Sequence, residues 1–307
     1  MIKKPEVCIL PVAGLSTRNL PTTKVLHKGF LTLNSIPIIQ YAVDACAEVG
    51  IKEIVFIYSD QSCRHLFEKY YKPYPWLEEH LKEKNKLDLL EVIEKIIPKG
   101  MKFSFAEQTE PKGNGHAVLM AKDIVGDRDF VVMWPDDVYV NLKGEGVLKQ
   151  LLNVYEEHGG IVQNTGCFPD DEIIRYGVLI DAVRNGNIIH AKGLIEKPAR
   201  DKIPSSFGVL GPYILPNEVM KALPEVSKGS NGEINLADAI GLTAQRGVKM
   251  TGVICDVMRF DCGTNKELAK ANIKLTLMQD KEMRDYCRTL LDSEEMQDDA
   301  PNLKQVI

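Results

Sequence analysis

Residues 7–12 form an unbroken apolar run, V-C-I-L-P-V, that stops at Ala13-Gly14. A run this short, closed by a turn signal, is the pattern of a strand buried on both faces. Apolar residues at Ile38, Ile39, Ala42, Val43 and Cys46 recur at helical spacing, predicting a helix over 38–49 that ends at Gly50. The run E-I-V-F-I-Y at 53–58 predicts the next strand. Leu77, Leu81, Leu87, Leu90, Val92, Ile93 and Ile97 mark residues 76–97 as helical, interrupted or fully exposed in the middle, and stopped at Pro98. Strands follow at 101–106 and 129–134, with a helix-like stretch at 115–122 between them. Strands alternating with helices in this way predict a doubly wound α/β sheet. Ligands then bind beyond the carboxyl ends of the strands.

The rhythm changes in the second half. Strands are expected at 160–168, 176–181, 188–196 and 207–215, joined by turns such as Asn185-Gly186, as in a mixed or antiparallel extension. Helices are expected at 217–223 and 233–246, and a long one from 265 to about 291. An acidic, poorly periodic tail, 293–307, closes the chain and is expected to be loosely ordered.

The composition adds exclusions. Among 307 residues, 44% are hydrophobic and 26% charged, as in a soluble globular protein. A net charge of −5 offers no nucleic-acid footprint, and no run of ~20 apolar residues predicts a membrane span. Seven cysteines without a C-x-x-C pair argue against a disulfide framework or a zinc site and for a reducing compartment, so a cytoplasmic setting is expected.

The loop after the first strand carries the most informative chemistry. In P-V-A-G-L-S-T-R (residues 11–18) small residues let the backbone approach a ligand closely, and Arg18 adds a forked cation suited to a polyphosphate. An ordinary small-residue turn with a surface arginine fits the loop equally well. The chain contains neither G-x-G-x-x-G nor a Walker G-x-x-x-x-G-K-[ST], which excludes a dinucleotide fingerprint and a P-loop kinase or GTPase.

Extended to P-V-A-G-L-S-T-R-N-L-P-T-T-K with Lys28 following, this loop resembles the opening of the sugar-nucleotide pyrophosphorylases. Its V-A-G-L and L-P-x-T-K forms are most similar to the bacterial UTP–glucose-1-phosphate uridylyltransferases. Further matches run in order over about 260 residues: I-P-I-I-Q-Y (36–41), K-G-N-G-H-A-V (112–118), W-P-D-D (134–137), Y-G-V (176–178), I-E-K-P (195–198), G-E-I-N-L-A-D-A-I (232–240) and F-D-C-G-T (260–264).

The resemblance implies a Rossmann-like doubly wound mixed sheet of the nucleotidyltransferase and glycosyltransferase-A type, with an antiparallel sugar-binding extension. It implies a single domain over 1–292, comprising a nucleotide-binding half (about 1–140), a sugar-binding half (141–264) and a C-terminal helix (265–292). UTP and glucose 1-phosphate are the implied substrates, UDP-glucose and pyrophosphate the products, and Mg²⁺ the cofactor. Asp136 and Asp261 would bind the metal, with Asp137 a bystander or a group behind them. Arg18 and Lys28 would hold the triphosphate and the leaving pyrophosphate, with Lys24 a weaker candidate. Lys197 would contact the sugar phosphate, Glu196 would accept hydrogen bonds from sugar hydroxyls, and Gly177 would bring backbone to the ring. Gln108 and Gly113 would read the uracil edge, and Ala13 and Gly14 would add backbone contacts to the base. His116 is expected to be structural. A homo-oligomer, dimer or tetramer, is implied, with the C-terminal helix as candidate interface.

Two positions depart from the family pattern. Ser16 stands where the second glycine is usual, and Gly29-Phe30-Leu31-Thr32 replaces the expected Glu-Met-Leu-Pro after Lys28. The alternatives are another base or sugar phosphate (dTDP-glucose, UDP-N-acetylhexosamine), or a non-catalytic nucleotide-sugar-binding paralogue.

Overall fold

The computed structural model describes residues 2–141, 143–227 and 232–293. Its centre is an eleven-stranded sheet. Four strands, Phe130–Val132, Val7–Pro11, Glu53–Tyr58 and Lys102–Glu107, lie side by side in that order and all parallel. Parallel neighbours need crossover connections, which here contain the helices Ile38–Glu48, Gln61–Tyr70 and Asn114–Leu119. Because they are parallel, their carboxyl ends share one edge, and the loops carrying Ala13, Gln108 and Asp136 leave from that edge.

Alternation decides the layers. Val7 and Ile9 enter the apolar cluster on one face together with Val55 and Ile57, whereas Cys8 and Leu10 enter the other with Ile54 and Phe56. Both faces are covered, which is why these strands read as continuous apolar runs rather than alternating ones.

The nine-residue strand Phe207–Leu215 turns the sheet from parallel to mixed. It runs antiparallel to Phe130–Val132 on one side and to Ile161–Cys167 on the other, with a register shift between Val209 and Tyr213. Beyond it, Met250–Val253 runs parallel to Ile161–Cys167, followed by Ile188–Ala191 and Val183–Asn185. The antiparallel pair Gly177–Ile180 and Gly193–Glu196 branches off this path, joined to Phe207–Leu215 near Gly208 and Val209. A separate two-stranded ribbon pairs Asp137–Val140 with Met258–Asp261.

Three long predicted segments divide. Residues 188–196 form two strands that part at Lys192. The 76–97 segment is two helices, Pro75–Glu83 and Leu87–Glu94, broken at Asn85, which adopts a left-handed φ of 52°. The C-terminal pattern is two helices, Asn265–Gln279 and Lys281–Leu291; the break is at Asp280, whose side chain accepts the Met283 N–H and caps the second. The expected loose tail lies, beyond Ser293, outside the described residues. No helix among the described residues is long and apolar enough to cross a membrane.

Candidate active site

The strand Phe130–Val132 delivers Asp136 to the carboxyl edge, and the ribbon brings Asp261 to it from a distant part of the chain. Asp261 stands opposite Asp137 in the ladder, and the Cys262 N–H donates to the Asp136 carbonyl at 2.7 Å. Gly263 sits between the carboxylates. A Cβ added there would lie 3.0 Å from Asp261 Oδ1, 3.3 Å from Asp136 Oδ2 and 3.5 Å from Arg18 Nη2. The glycine therefore leaves open a cradle on which two carboxylates and a guanidinium converge. The Gly263 N–H donates to Asp261 Oδ1 at 2.8 Å and fixes that side chain.

Lys28 enters from the 3₁₀ turn Lys28–Phe30 and donates to Asp136 Oδ2 at 2.7 Å. Burial pushes the Asp136 carboxyl up, but Lys28 outweighs it and holds the group below its ordinary value. Asp137 points elsewhere. Its Oδ1 accepts from Arg259 Nε at 2.9 Å and Nη2 at 2.6 Å. Burial pushes Asp137 up to about 7, against the pull of Arg259 and with a further push from Asp136.

Two oxygen-donor carboxylates beside an open cradle fit Mg²⁺, which takes one or two protein carboxylates and completes its shell with waters and substrate phosphates. Among the described residues no group of three or more acidic, histidine or cysteine side chains makes an all-protein metal cage.

The loop 12–18 is pinned at its start by the Val12 N–H, which donates to the Ile57 carbonyl at 2.8 Å. Ala13 is half-buried, and Gly14 and Arg18 are exposed. Ser16 adopts φ 53° and ψ 31°, the left-handed region where the family pattern has glycine. Its Oγ donates to the Gly14 carbonyl, not toward the carboxylates, and its own carbonyl accepts from Thr23 Oγ1. Gly29, the other departure, is buried against His27, whose Nδ1 accepts the Gly29 N–H at 3.0 Å. The His27 side chain thus caps the 3₁₀ turn that carries Lys28. Lys24 is exposed and forms no salt bridge among the described residues.

On the other side of Glu53–Tyr58, the Gln108 N–H donates to the Tyr58 carbonyl at 2.8 Å. Its amide Nε2 lies 3.0 Å from the Gly113 carbonyl and 3.1 Å from His116 Nδ1. Gly113, at φ 108°, has no room for a side chain, since a Cβ would lie 2.5 Å from the Ile234 carbonyl oxygen. His116 therefore has a visible local role, which is to orient the Gln108 amide.

The branching strand pair holds the remaining residues. Glu196 and Gly177 face one another in register, and a Cβ on Gly177 would lie 3.3 Å from Glu196 Oε2. Burial raises the Glu196 carboxyl, partly offset by Lys197, whose Nζ lies 3.4 Å away. Lys197 has φ 44°, and its N–H donates to the Tyr176 carbonyl at 3.0 Å. The structure thus gathers Arg18, Lys28, Asp136 and Asp261 into one cluster. Glu196, Lys197 and Gly177 form a second group and Gln108 with Gly113 a third. Arg259 and Tyr176, absent from the expected site, lie between the first two groups. The sequence hints at this through M-R-F-D alone, which sets Arg259 two residues before Asp261 on one strand face.

An apolar cavity of about 550 Å³ is lined by Leu26, Phe30, Leu66, Tyr70, Leu77 and Ile93 among others, and none of the expected site residues lines it.

A mixed sheet with phosphate-suited cations and paired carboxylates at its carboxyl edge defines a nucleotidyltransferase, and the chain belongs to the nucleotidyl transferase family, which it matches over residues 8–277. Within that family its kin are the UTP–glucose-1-phosphate uridylyltransferases. It is 33% identical to the enzyme of that name from Bacillus subtilis over 302 residues, covering 96% of this chain and all of the relative. Among solved structures, the UTP-bound UDP-glucose pyrophosphorylase of Acinetobacter baumannii superposes with a TM-score of 0.82 at 30% identity, covering 94% of this chain and 99% of that one. A UDP-glucose pyrophosphorylase complexed with UDP-glucose superposes with a TM-score of 0.80 at 28% identity, covering 90% of this chain and all of that one.

Proposed function

We propose that this chain transfers the uridylyl group of UTP to α-D-glucose 1-phosphate. A phosphate oxygen of the sugar phosphate attacks the α-phosphorus of UTP, the bond to the β-phosphate oxygen breaks opposite it, and pyrophosphate leaves with that electron pair. No protein nucleophile is needed, so the work is alignment and charge stabilisation. The observation that carries this reading is the convergence of Asp136, Asp261 and Arg18 around Gly263, with Lys28 on Asp136.

Arg18 and Lys28 bind the triphosphate and stabilise charge on the departing pyrophosphate. Lys197 orients the sugar phosphate for in-line attack, while the partly buried Glu196 carboxylate accepts from sugar hydroxyls across the gap that Gly177 leaves. With both its N–H groups engaged by Gly113 and His116, Gln108 presents its amide oxygen as acceptor to the imide N–H of uracil. Ala13, Gly14 and Gly113 bring backbone close to the base. Asp136 and Asp261 would hold Mg²⁺, which when bound adds positive charge beside the phosphates.

The continuity of the main sheet from residue 7 to residue 253 supports treating 1–292 as one catalytic unit. The helix Lys281–Leu291 buries none of its residues and leaves Tyr286 and Leu291 exposed, which supports a dimer or tetramer built on it. The seven unpaired cysteines suit a cytoplasmic setting.

The test is pyrophosphate release from UTP plus glucose 1-phosphate, with and without Mg²⁺, beside dTTP and N-acetylglucosamine 1-phosphate. Mg²⁺-dependent release from UTP and glucose 1-phosphate is expected. Release only with another pair would change the substrates, and silence with every pair from folded protein would overturn the enzymatic reading.

A further inference from the structure

The guanidinium of Arg259 joins two groups that are otherwise far apart along the chain. On one side its Nε and Nη2 both donate to Asp137 Oδ1. Asp137 is the backbone neighbour of Asp136 and the ladder partner of Asp261. On the other side, Arg259 Nη1 lies 3.4 Å from Tyr176 Oη, and the guanidinium carbon lies 5.8 Å from the centre of that ring. Tyr176 precedes Gly177, stacks on Phe168 with ring centroids 4.5 Å apart, and accepts the Lys197 N–H through its carbonyl.

We propose that Arg259 is a positioning residue that, through Asp137 and Tyr176, holds the carboxylates of Asp136 and Asp261 in fixed relation to the Gly177–Glu196–Lys197 pocket. The proposal rests on the reading of those carboxylates as metal ligands and of that pocket as the sugar-phosphate site. The ribbon carrying Arg259 is not part of the main sheet, so the sheet's ladder does not set its distance from the sugar side. Two side-chain ties reach toward that side, this guanidinium and the bond from Tyr139 Oη to the Gly211 carbonyl. A planar fork can hold a carboxylate and lie against a ring at once, which an ammonium on a flexible stem cannot do. The arrangement also accounts for Asp137, an acid beside the metal carboxylates that is turned away from them.

Two variants test the strut. Arg259→Lys keeps the charge and loses the fork. The double variant Asp137→Asn with Arg259→Gln removes both charges together, so neither is left buried and unpaired. Thermal midpoints report folding. Mn²⁺ binding in the presence of UTP, followed by loss of the free-ion electron paramagnetic resonance signal, reports the carboxylates without turnover. Both variants should bind Mn²⁺ about 10-fold more weakly or worse, the usual effect of losing a partner behind a metal ligand. The KM for glucose 1-phosphate should rise by a similar factor while the KM for UTP changes less than about twofold, a split that a general loss of fold would not give. Wild-type Mn²⁺ affinity and wild-type KM in either folded variant overturns the proposal. Wild-type protein that binds Mn²⁺ but transfers nothing overturns the proposed reaction instead, and the Mn²⁺ comparison still judges the strut. Wild-type protein that binds no Mn²⁺ with UTP present overturns the metal assignment and the strut with it.

Discussion

Lys28 Nζ and Asp136 Oδ2, 108 residues apart in the chain, are 2.7 Å apart in the fold. The pair satisfies a largely buried carboxylate and keeps it charged in the absence of nucleotide. On the proposed reaction, an incoming triphosphate offers Lys28 a more highly charged partner, and the pair is expected to open as it binds.

Lys28→Ala should therefore lower kcat/KM by about 100-fold or more, the range for losing a donor to developing charge. Asp136→Ala should abolish Mg²⁺-dependent turnover with the circular dichroism spectrum preserved. Pyrophosphate-release kinetics across a Mg²⁺ series check both. An Asp136→Ala protein that kept full activity would remove that carboxylate from the mechanism.

Lys197→Ala should act on one substrate. Its ammonium is exposed and pairs with the neighbouring Glu196, so its loss costs little stability. The KM for glucose 1-phosphate should rise about 10-fold or more, in line with a lost charge-assisted contact, while UTP binding stays near wild type. Equal effects on both substrates would place Lys197 elsewhere in the reaction.

Ser16 is held at φ 53°, a conformation that costs a residue with a Cβ about 1 kcal/mol. Ser16→Gly relieves that cost and restores the family's usual residue. The thermal midpoint should rise by a few degrees at most, offset by the entropy of the added glycine. Turnover should be equal or higher, and a fall in kcat would mean that the serine hydroxyl has a role at the phosphates.

His27 gives the pH dependence. Burial, aided by the positive charge of Lys28, lowers its imidazole from 6.5 to about 4. Its Nδ1 accepts the Gly29 N–H, and its Nε2 has no hydrogen-bond partner among the described residues. Between pH 6.5 and 4 the unfolded chain binds more protons at this site than the folded one. Stability therefore falls as the pH drops through that window, by about 3 kcal/mol in all from this residue. Urea midpoints at about pH 7 and pH 4.5 should differ less in His27→Gln than in the wild type. An unchanged difference would assign the acid sensitivity to other groups.

Much of this is legible in the sequence where the physics is local. Residues 53–58 read as a strand and are one, because six consecutive buried positions leave no other short element that fits. The loop 11–18 stands out because small residues and Arg18 sit where a parallel strand must end. The breaks at Lys192 and Asp280 are hidden because apolar spacing continues through them, although an aspartate before Lys281-Glu282 is a cap signal. The Asp137–Arg259 pair is out of reach. Its partners are 122 residues apart, and nothing near either one marks it as buried and turned toward the other. Long-range register, here the ladder that sets Asp261 opposite Asp137, creates such pairs, and it exists only in the folded chain.

The strand pair Gly177–Ile180 and Gly193–Glu196 touches the rest of the sheet through a few residues near Gly208, and the helix Leu236–Gln245 packs against it. Leu179 and Leu194 of the pair are buried in the same apolar cluster as Leu236, Ala239 and Ile240 of that helix. On the proposed roles, a change of acceptor preference by drift is expected at positions of this pair that face neither that cluster nor Arg259, because a change at Tyr176 would be felt at the carboxylates on the far side of the guanidinium.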